Sequence, residues 1–562
     1  MINIQLDDSR RLTGKSLLWD HPGAIIDGFV QGIDKAAVVA RWEDFAHRLL
    51  TAVAWPNEHC CARIFENGIT VAVSAPLDAL YSACELNEAA WELARADLTG
   101  QPPEESLPAC VLRLRSAIDE ETNPELLNLL NLAKQQGVVS LADDDEFSLG
   151  YGPTAQVWPI TALPAVADIH WADYQSIPVA MVTGTNGKST SVRILSAMIE
   201  ASGRRCGVTS TDFIRVGNEI IDRGDYSGPG GARIVLRHPK TEVAILEVAR
   251  GGILRRGLPL DRVDVSLVTN VAEDHLGQYG INTVEALAQT KLVVSKALAG
   301  GTLVLNADDA LLVQMAEPLM VRQCWFALSE QNEVLQRHKA AGDPVCFMRA
   351  GQLVYFDGHT DQDIVAVDAI PMTLQGAAVH NISNALGAIG VAQCLGLDRV
   401  DIASALEHFA SSVDDNPGRG NQFEVKGARV ILDFAHNMHG IDAMANTLAK
   451  LPASRKYLML SMAGDRSDRE ILAASRAAMA MQPDLLIAAD LPDYYRGRKP
   501  GEVTDLIAQA ARTCGMEERA IEYAADPVAG TKRIISQLQP SELALLFALS
   551  DRDDIVELLN LG

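Results

Sequence analysis

The stretch Val182-Thr183-Gly184-Thr185-Asn186-Gly187-Lys188-Ser189-Thr190 decides how the rest of the chain is read. An apolar run, Val179–Thr183, enters it, and a helical pattern, Lys188–Ala201, leaves it, so a strand is expected to pass through a glycine turn into a helix. Glycines let consecutive backbone N–H groups turn toward phosphate oxygens, and the N-terminus of the following helix adds partial positive charge. Gly184, Thr185, Asn186, Gly187, Lys188, Ser189 and Thr190 are therefore expected to cradle the phosphates of a nucleotide, with Lys188 reaching the β- and γ-phosphates and Ser189 ligating Mg2+. The spacing departs from the usual GxxxxGK[ST], because Val182 stands where the first glycine is expected.

Downstream, short apolar runs alternate with helical patterns. Residues 243–246, 265–269 and 302–305 read as buried strands and 283–299 as a helix, which implies a largely parallel sheet covered by helices. Residues 411–420 (SSVDDNPGRG) read as a linker. Beyond it the alternation resumes with strands at 430–432, 457–460, 485–488 and 543–548, a second and smaller unit. Upstream, 38–53, 77–97 and 124–136 are helical and 61–65 and 69–73 strand-like across a Glu66-Asn67-Gly68 turn; 143–178 reads as a connector. The expected fold is α/β: an N-terminal α+β domain with its connector (1–177), a central P-loop domain with a mostly parallel sheet (178–415), and a smaller C-terminal Rossmann-like α/β domain (416–562).

Composition narrows the function classes. With 73 acids against 48 bases the formal net charge is −25, which disfavours a nucleic-acid partner. Hydrophobic residues at 48% and charged residues at 22% are those of an ordinary globular chain. No apolar run reaches the ~20 residues of a membrane helix, and Met1–Asp8 lacks a signal-peptide pattern, so neither membrane nor export is expected. Nine cysteines, an odd number without a CxxC pair, argue against a disulfide framework or a zinc ribbon and for a cytoplasmic setting.

TGTNGKST (183–190) is the form of the phosphate loop typical of Mur ligases, the ATP-dependent amino-acid ligases. Thr209-Ser210-Thr211-Asp212, Ser227-Gly228-Pro229, Leu246–Leu254 (LEVARGGIL), Asn270–Gly277 (NVAEDHLG), Leu305–Asp309 (LNADD), Asn416-Pro417-Gly418-Arg419, Asp433–Asn437 (DFAHN) and Gly464-Asp465-Arg466 extend the match. In this order they resemble the Mur-ligase half of cyanophycin synthetases, over about 179–562. About 177 residues precede the loop, too few for the ATP-grasp module of those enzymes plus an N-terminal domain. The DFAHN stretch also departs from the family's DYAHN.

The resemblance implies an ATP-dependent amide ligase: a carboxylate is activated as an acyl phosphate and joined to an amine, with ADP and phosphate released. It implies Mg2+ ligands at Glu247 and His275 beside Ser189, and a carbamylated lysine at Lys291 supporting the second Mg2+. Lys188, Glu247, His275 and Lys291 are thus the expected catalytic group. Asn381 and Asn384, in His380–Asn384, resemble the family's adenine and ribose contact, and Arg419 an arginine reaching the phosphates. Asp433, His436 and Asn437 follow a strand where a nucleotide or hinge contact would sit. Thr211 and Asp212 are expected at the substrate, and Arg250 and Arg255 are expected to hold its carboxylate, since arginine pairs with carboxylates bidentately; Arg496 and Arg498 match a segment beside the amine site. The substrates expected are a small-molecule or peptide carboxylate and an amino-acid amine. Two alternatives stay open: a polymer-extending, cyanophycin-like synthetase acting with a partner, and a non-catalytic nucleotide-binding subunit. The first 177 residues are expected to bind the acceptor or mediate assembly, with an oligomer left open.

Overall fold

The computed structural model describes residues 2–413 and 415–561; Asp414, inside the stretch read as a linker, lies outside them. The α/β class holds for the central and C-terminal parts of the chain, and the N-terminal part is α+β. The strand before the phosphate loop, Val179–Thr183, sits near the middle of an eleven-stranded sheet. The sheet runs Glu219–Arg223, Phe213–Val216, Cys206–Thr209, Val243–Glu247, Val179–Thr183, Val265–Val268, Thr302–Asn306, Arg322–Ala327, Val345–Arg349, Gln352–Phe356, Asp361–Ala366. From Cys206–Thr209 to Val345–Arg349 all neighbours are parallel, and an antiparallel hairpin closes each edge. Every residue of Val179–Thr183 and Val243–Glu247 is buried, as expected of parallel strands covered on both faces. One face packs Val192, Leu195 and Met198 against Leu386 and Ile389; the other packs Val235, Ile253 and Leu312.

The six-stranded C-terminal sheet has the order Arg419–Val425, Ala428–Asp433, Leu543–Phe547, Lys456–Leu460, Leu485–Ala489, Ile521–Ala524, antiparallel only at its first pair. Its first strand begins inside the stretch read as a linker. That stretch is pinned by Asn421, whose side-chain amide donates to Ser411 O at 2.7 Å and Asn416 O at 2.9 Å.

Residues 3–74 form a four-stranded antiparallel sheet in the order Asn3–Leu12, Gly23–Gln31, Gly68–Ser74, Cys60–Phe65. Helices Lys35–Ala52, Leu80–Thr99 and Leu107–Glu121 gather on one side of it, with Trp42, Leu86, Trp91 and Leu114 against Ile26, Val71 and Val73. The first two strands and the third helix have no counterpart in the sequence analysis. Asn3–Leu12 is an edge strand rich in charge, and Leu107–Glu121 buries only the stripe Cys110, Leu114, Ile118. The connector is not irregular either: Ser140–Ala142, Glu146–Leu149 and Gln156–Pro159 make a small sheet whose Phe147 and Leu149 pack with Leu126 and Leu129. The helix expected over 283–299 is α-helical only for Val284–Leu292 and tightens to a 3-10 turn at Val293–Ala297. No helix of the described residues is long and apolar enough to cross a membrane.

Candidate active site

Two glycines shape the phosphate loop. Gly184 has φ 148°, and a Cβ there would lie 1.9 Å from Thr269 Oγ1; Gly187 has φ 82°, and a Cβ would lie 2.2 Å from Asn384 Oδ1. Both positions exclude a side chain on conformation and on space. Asn270 braces the turn: its carbonyl accepts from Thr185 N at 2.9 Å and its Oδ1 from Asn186 N at 3.0 Å, while Thr269 Oγ1 donates to Asn186 O at 2.6 Å. The helix then starts at Lys188, and its first N–H groups have no partner within the helix. Lys188 Nζ folds back onto Gly184 O at 3.1 Å and Thr185 O at 3.0 Å. Ser189 Oγ lies 3.3 Å from Thr211 Oγ1.

Glu247 ends the strand next to the loop strand, in register with Val182. It is 1% exposed, and neither carboxylate oxygen has a hydrogen-bond partner among the described residues. An unpaired buried carboxylate is costly unless a cation meets it. A hard oxygen donor of this kind, with the Ser189 hydroxyl on the adjacent helix, fits Mg2+.

A second group gathers on the turn after Val265–Val268. The side chains of Asp274, His275 and His436 bring one ligand atom each to within 4.8 Å of one another. Arg466 Nη2 donates to Asp274 Oδ1 at 3.1 Å. Burial works against ionisation of Asp274, but His275, His436, Arg466 and Lys188 outweigh it and hold the carboxyl below its usual range. Burial lowers the His275 pKa; Asp274 pulls the other way, and Arg466 and Arg250 add to the lowering. Burial takes His436 down to about 4. Both shifts favour the neutral imidazole, the form that ligates metals.

Lys291, on Val284–Leu292, is 3% exposed. Burial drives its pKa well below the usual value, Lys188 and Arg250 lower it further, and Asp274 alone opposes them. It is a buried amine held toward its neutral, nucleophilic form.

The other expected residues divide. Arg250 reaches the site through the backbone, donating from Nη1 to His275 O at 2.8 Å. Asp212 is engaged by Arg193, itself 1% exposed, and by Arg552; Arg193 also donates to Asn416 Oδ1 at 2.7 Å, tying the phosphate-loop helix to the linker. Thr190 accepts from Asn416 at 3.4 Å. Asn384 overhangs Gly187, and Asn381 donates to Met372 O at 2.8 Å. Arg419 stacks over Phe434 with its Nε unpartnered among the described residues. Burial raises Asp433 to about 6, against the pull of Arg419. Arg255 is exposed, Arg496 is exposed over Tyr494, and Arg498 fastens its own domain by donating to Gly464 O and Arg466 O. Asp274 and Arg466 were not singled out in the sequence, although both lie inside quoted motifs; their pairing spans 192 positions and has no local signal.

The C-terminal unit closes over the loop. Asn437 caps the helix Met438–Ala449 and pairs with Asn186, Arg466 reaches Asp274, and Arg469 pairs with Glu273 at 2.6 Å. Between them lies a cavity of about 160 Å3 lined by Glu273, His436, Met438, Met462, Arg466 and Ala474.

Two family models match the chain: the Mur ligase middle domain over 182–392 and the Mur ligase glutamate ligase domain over 418–548. The chain is 35% identical over 362 residues to the cyanophycin synthetase of Crocosphaera subtropica, covering 63% of this chain and 41% of that protein. It is 27% identical over 393 residues to the UDP-N-acetylmuramoyl-tripeptide--D-alanyl-D-alanine ligase of Synechocystis, covering 68% and 73%. The chain thus spans about two fifths of the length of the cyanophycin synthetase. Among solved structures, E. coli FolC in complex with ADP aligns with a TM-score of 0.51 at 17% identity, over 68% of this chain and 89% of that one, which is a likeness of fold. Through residues 182–392 and 418–548, where the phosphate loop, Glu247, the Asp274–His275 turn and Asn437 all lie, the chain belongs to the Mur ligase family.

Proposed function

We propose that the protein is an ATP-dependent ligase that activates a substrate carboxylate as an acyl phosphate and joins it to the amine of an amino acid or peptide. The observation that carries this reading is Glu247: a buried carboxylate with two unpartnered oxygens, one strand from the phosphate loop.

A carboxylate is a poor acyl donor. Its oxygen attacks the γ-phosphorus of ATP, the bond to the bridging oxygen breaks, and ADP leaves. Positioning and cationic stabilisation do most of the work in such a transfer. Lys188 exchanges the carbonyls of Gly184 and Thr185 for phosphate oxygens, and the free N–H groups of the first helical turn hold the rest of the triphosphate. Ser189 and Glu247 would hold Mg2+, which would neutralise phosphate charge. Lys291, buried and held toward its neutral form, would add to CO2 through its nitrogen and release a proton to solvent; the resulting carbamate anion, with His275, would hold a second Mg2+. Asn381 and Asn384 bind the nucleoside and Arg419 the phosphates. The amine enters through the cavity lined by Glu273, His436 and Arg466 and attacks the acyl carbon; phosphate leaves and the amine loses its proton. The C-terminal domain, docked through Asn437 and Arg466, keeps water from the acyl phosphate.

A screen of carboxylate and amine pairs for ADP release, with mass spectrometry of the product, tests the proposal. ATP-analogue binding with no turnover for any pair would leave a nucleotide-binding subunit. The 35% identity to a cyanophycin synthetase favours a second reading, extension of a polymer alongside a partner enzyme; ADP release only with a polymeric acceptor would select it.

A further inference from the structure

The N-terminal sheet turns a polar face toward the site. Strand alternation puts Ala24, Ile26 and Val30, with Ile69, Val71 and Val73, under the helices, so the residues between them face the other way. On that face Asp27, Thr70 and Arg63 stand side by side in register across three strands. Thr70 Oγ1 donates to Asp27 Oδ1 at 2.6 Å, Arg63 Nη2 donates to Thr70 Oγ1 at 3.3 Å, and Arg10 Nη2 pairs with Asp27 Oδ2 at 2.7 Å. Arg10 and Asp27 are 7% and 3% exposed. Charges buried this far are no efficient way to stabilise a sheet, so this network calls for another explanation.

Its outer ends grip two segments of the active site. Arg63 donates from Nη2 to Tyr279 O at 2.6 Å and from Nη1 to Gly280 O at 2.8 Å. Arg10 donates from Nε and Nη2 to Leu254 O at 3.3 and 3.1 Å, and its guanidinium lies 4.9 Å over the Tyr279 ring. Gly280 sits so close to the sheet that a Cβ would lie 2.5 Å from the Phe65 ring. Tyr279 and Gly280 belong to the turn that starts at His275, where Gly277 N donates to Ile281 O at 2.8 Å. Leu254 lies on the helix that starts at Arg250, and Arg250 donates back to His275 O and to Gln278 Oε1. The backbone of His275 is therefore held along two routes, and both end on the same face of the N-terminal sheet. His275 and Tyr279 both have positive φ, 49° and 54°. For residues with a Cβ this conformation is strained, and it persists only where its surroundings enforce it.

We propose that Arg63 is a positioning residue: with Arg10 it makes the N-terminal sheet the brace that holds the turn at 275–281 and sets where His275 stands against Asp274 and His436. Only the kinetic consequence rests on the ligase reading; the brace itself does not.

The test uses the full chain with Arg63→Ala and Arg63→Lys. Hydrogen–deuterium exchange should rise about tenfold or more at 275–281 in Arg63→Ala and stay within about twofold at 24–30 and 69–73. Turnover should fall about tenfold or more while the KM for ATP stays within about threefold, because the phosphate loop is untouched. Arg63→Lys, with one donor point in place of a fork, should lie between, and added methylguanidine should restore part of the turnover of Arg63→Ala. Unchanged exchange at 275–281 overturns the brace, and so does a rise spread equally over the sheet, which would mean the sheet itself had loosened. A loosened turn with undiminished kcat overturns the positioning role. If the wild type turns over no substrate pair, the ligase reading fails, while the exchange result still decides the brace.

Discussion

Asn186 and Asn437, 251 positions apart, exchange side-chain amide hydrogen bonds: Asn186 Nδ2 donates to Asn437 Oδ1 at 3.2 Å, and Asn437 Nδ2 donates to Asn186 Oδ1 at 3.1 Å. The same Asn437 Oδ1 accepts from Gly440 N at 2.9 Å and so caps the helix Met438–Ala449. One side chain thus starts a helix of the C-terminal domain and seats it on the phosphate loop. Asn437→Asp separates the two jobs. Aspartate caps as well as asparagine, but it faces Asn186 Oδ1 with an acceptor. The thermal midpoint should move by no more than a few degrees, while the radius of gyration from small-angle scattering rises and turnover falls about tenfold. A variant with wild-type scattering and turnover would mean that this contact does not hold the domains together.

Among the described residues, Lys188 Nζ donates its hydrogen bonds to the carbonyls of its own loop. Lys188→Ala should therefore lower ATP turnover by at least about a hundredfold and shift the thermal midpoint by only about 2 °C. Calorimetry and an ADP-release assay read the two effects separately. Substantial turnover in the variant would remove the phosphate loop from the mechanism.

Lys291 is buried among cations that favour its neutral form. If it carries a carbamate, Lys291→Ala should slow acyl-phosphate formation yet leave ATP-analogue binding intact, since Lys188 and the loop amides remain. Acetate or another short acid should partly restore the rate by occupying the vacated space. A fully active variant, or one that no acid rescues, would return Lys291 to an ordinary buried lysine.

His380, at the start of Val379–Cys394, has a buried Nδ1 without a partner among the described residues. Burial takes its pKa from 6.5 to about 4, with His439 adding to the shift. Between those values the unfolded chain binds a proton that the folded chain does not, so stability falls as the pH falls from 6.5 toward 4. Going from pH 7 to pH 5 should cost about 2 kcal/mol through this residue. His436, lowered to about 4, acts in the same direction. Asp433, raised from 3.8 to about 6, acts in the opposite one: it keeps its proton longer when folded, and its contribution fades as the pH rises through 6. Urea midpoints at pH 7 and pH 5 should lie closer together in His380→Gln than in the wild type. Equal spacing in the two proteins would mean that His380 titrates normally.

Local sequence determined the phosphate loop, because the constraints there act between neighbours: glycines at Gly184 and Gly187, a buried strand before them and a helix N-terminus after. It likewise determined the β/α alternation from residue 179 onward, since strands buried on both faces are written as short unbroken apolar runs such as VAMVT and VAILE. The edge strand Asn3–Leu12 escaped notice because its side chains serve the contact with the central domain as much as any core of its own, so no alternation records it. Tertiary structure alone decided which charges meet. Arg466 finds Asp274, Arg193 holds Asp212 and Asn416, and Arg63 reaches Tyr279 and Gly280 across 192, 19 and 223, and 216 and 217 positions. Nothing periodic in a chain specifies such pairs; they are set by which strand ends and turns the packed sheets bring within a few ångströms. The same holds for burial, and burial decides the chemistry. The letters of Glu247 and Lys291 are those of any surface acid and base. The resemblance marks them for Mg2+ and for a carbamate; the fold adds the physical ground, leaving both Glu247 oxygens without a partner among the described residues and burying the Lys291 amine.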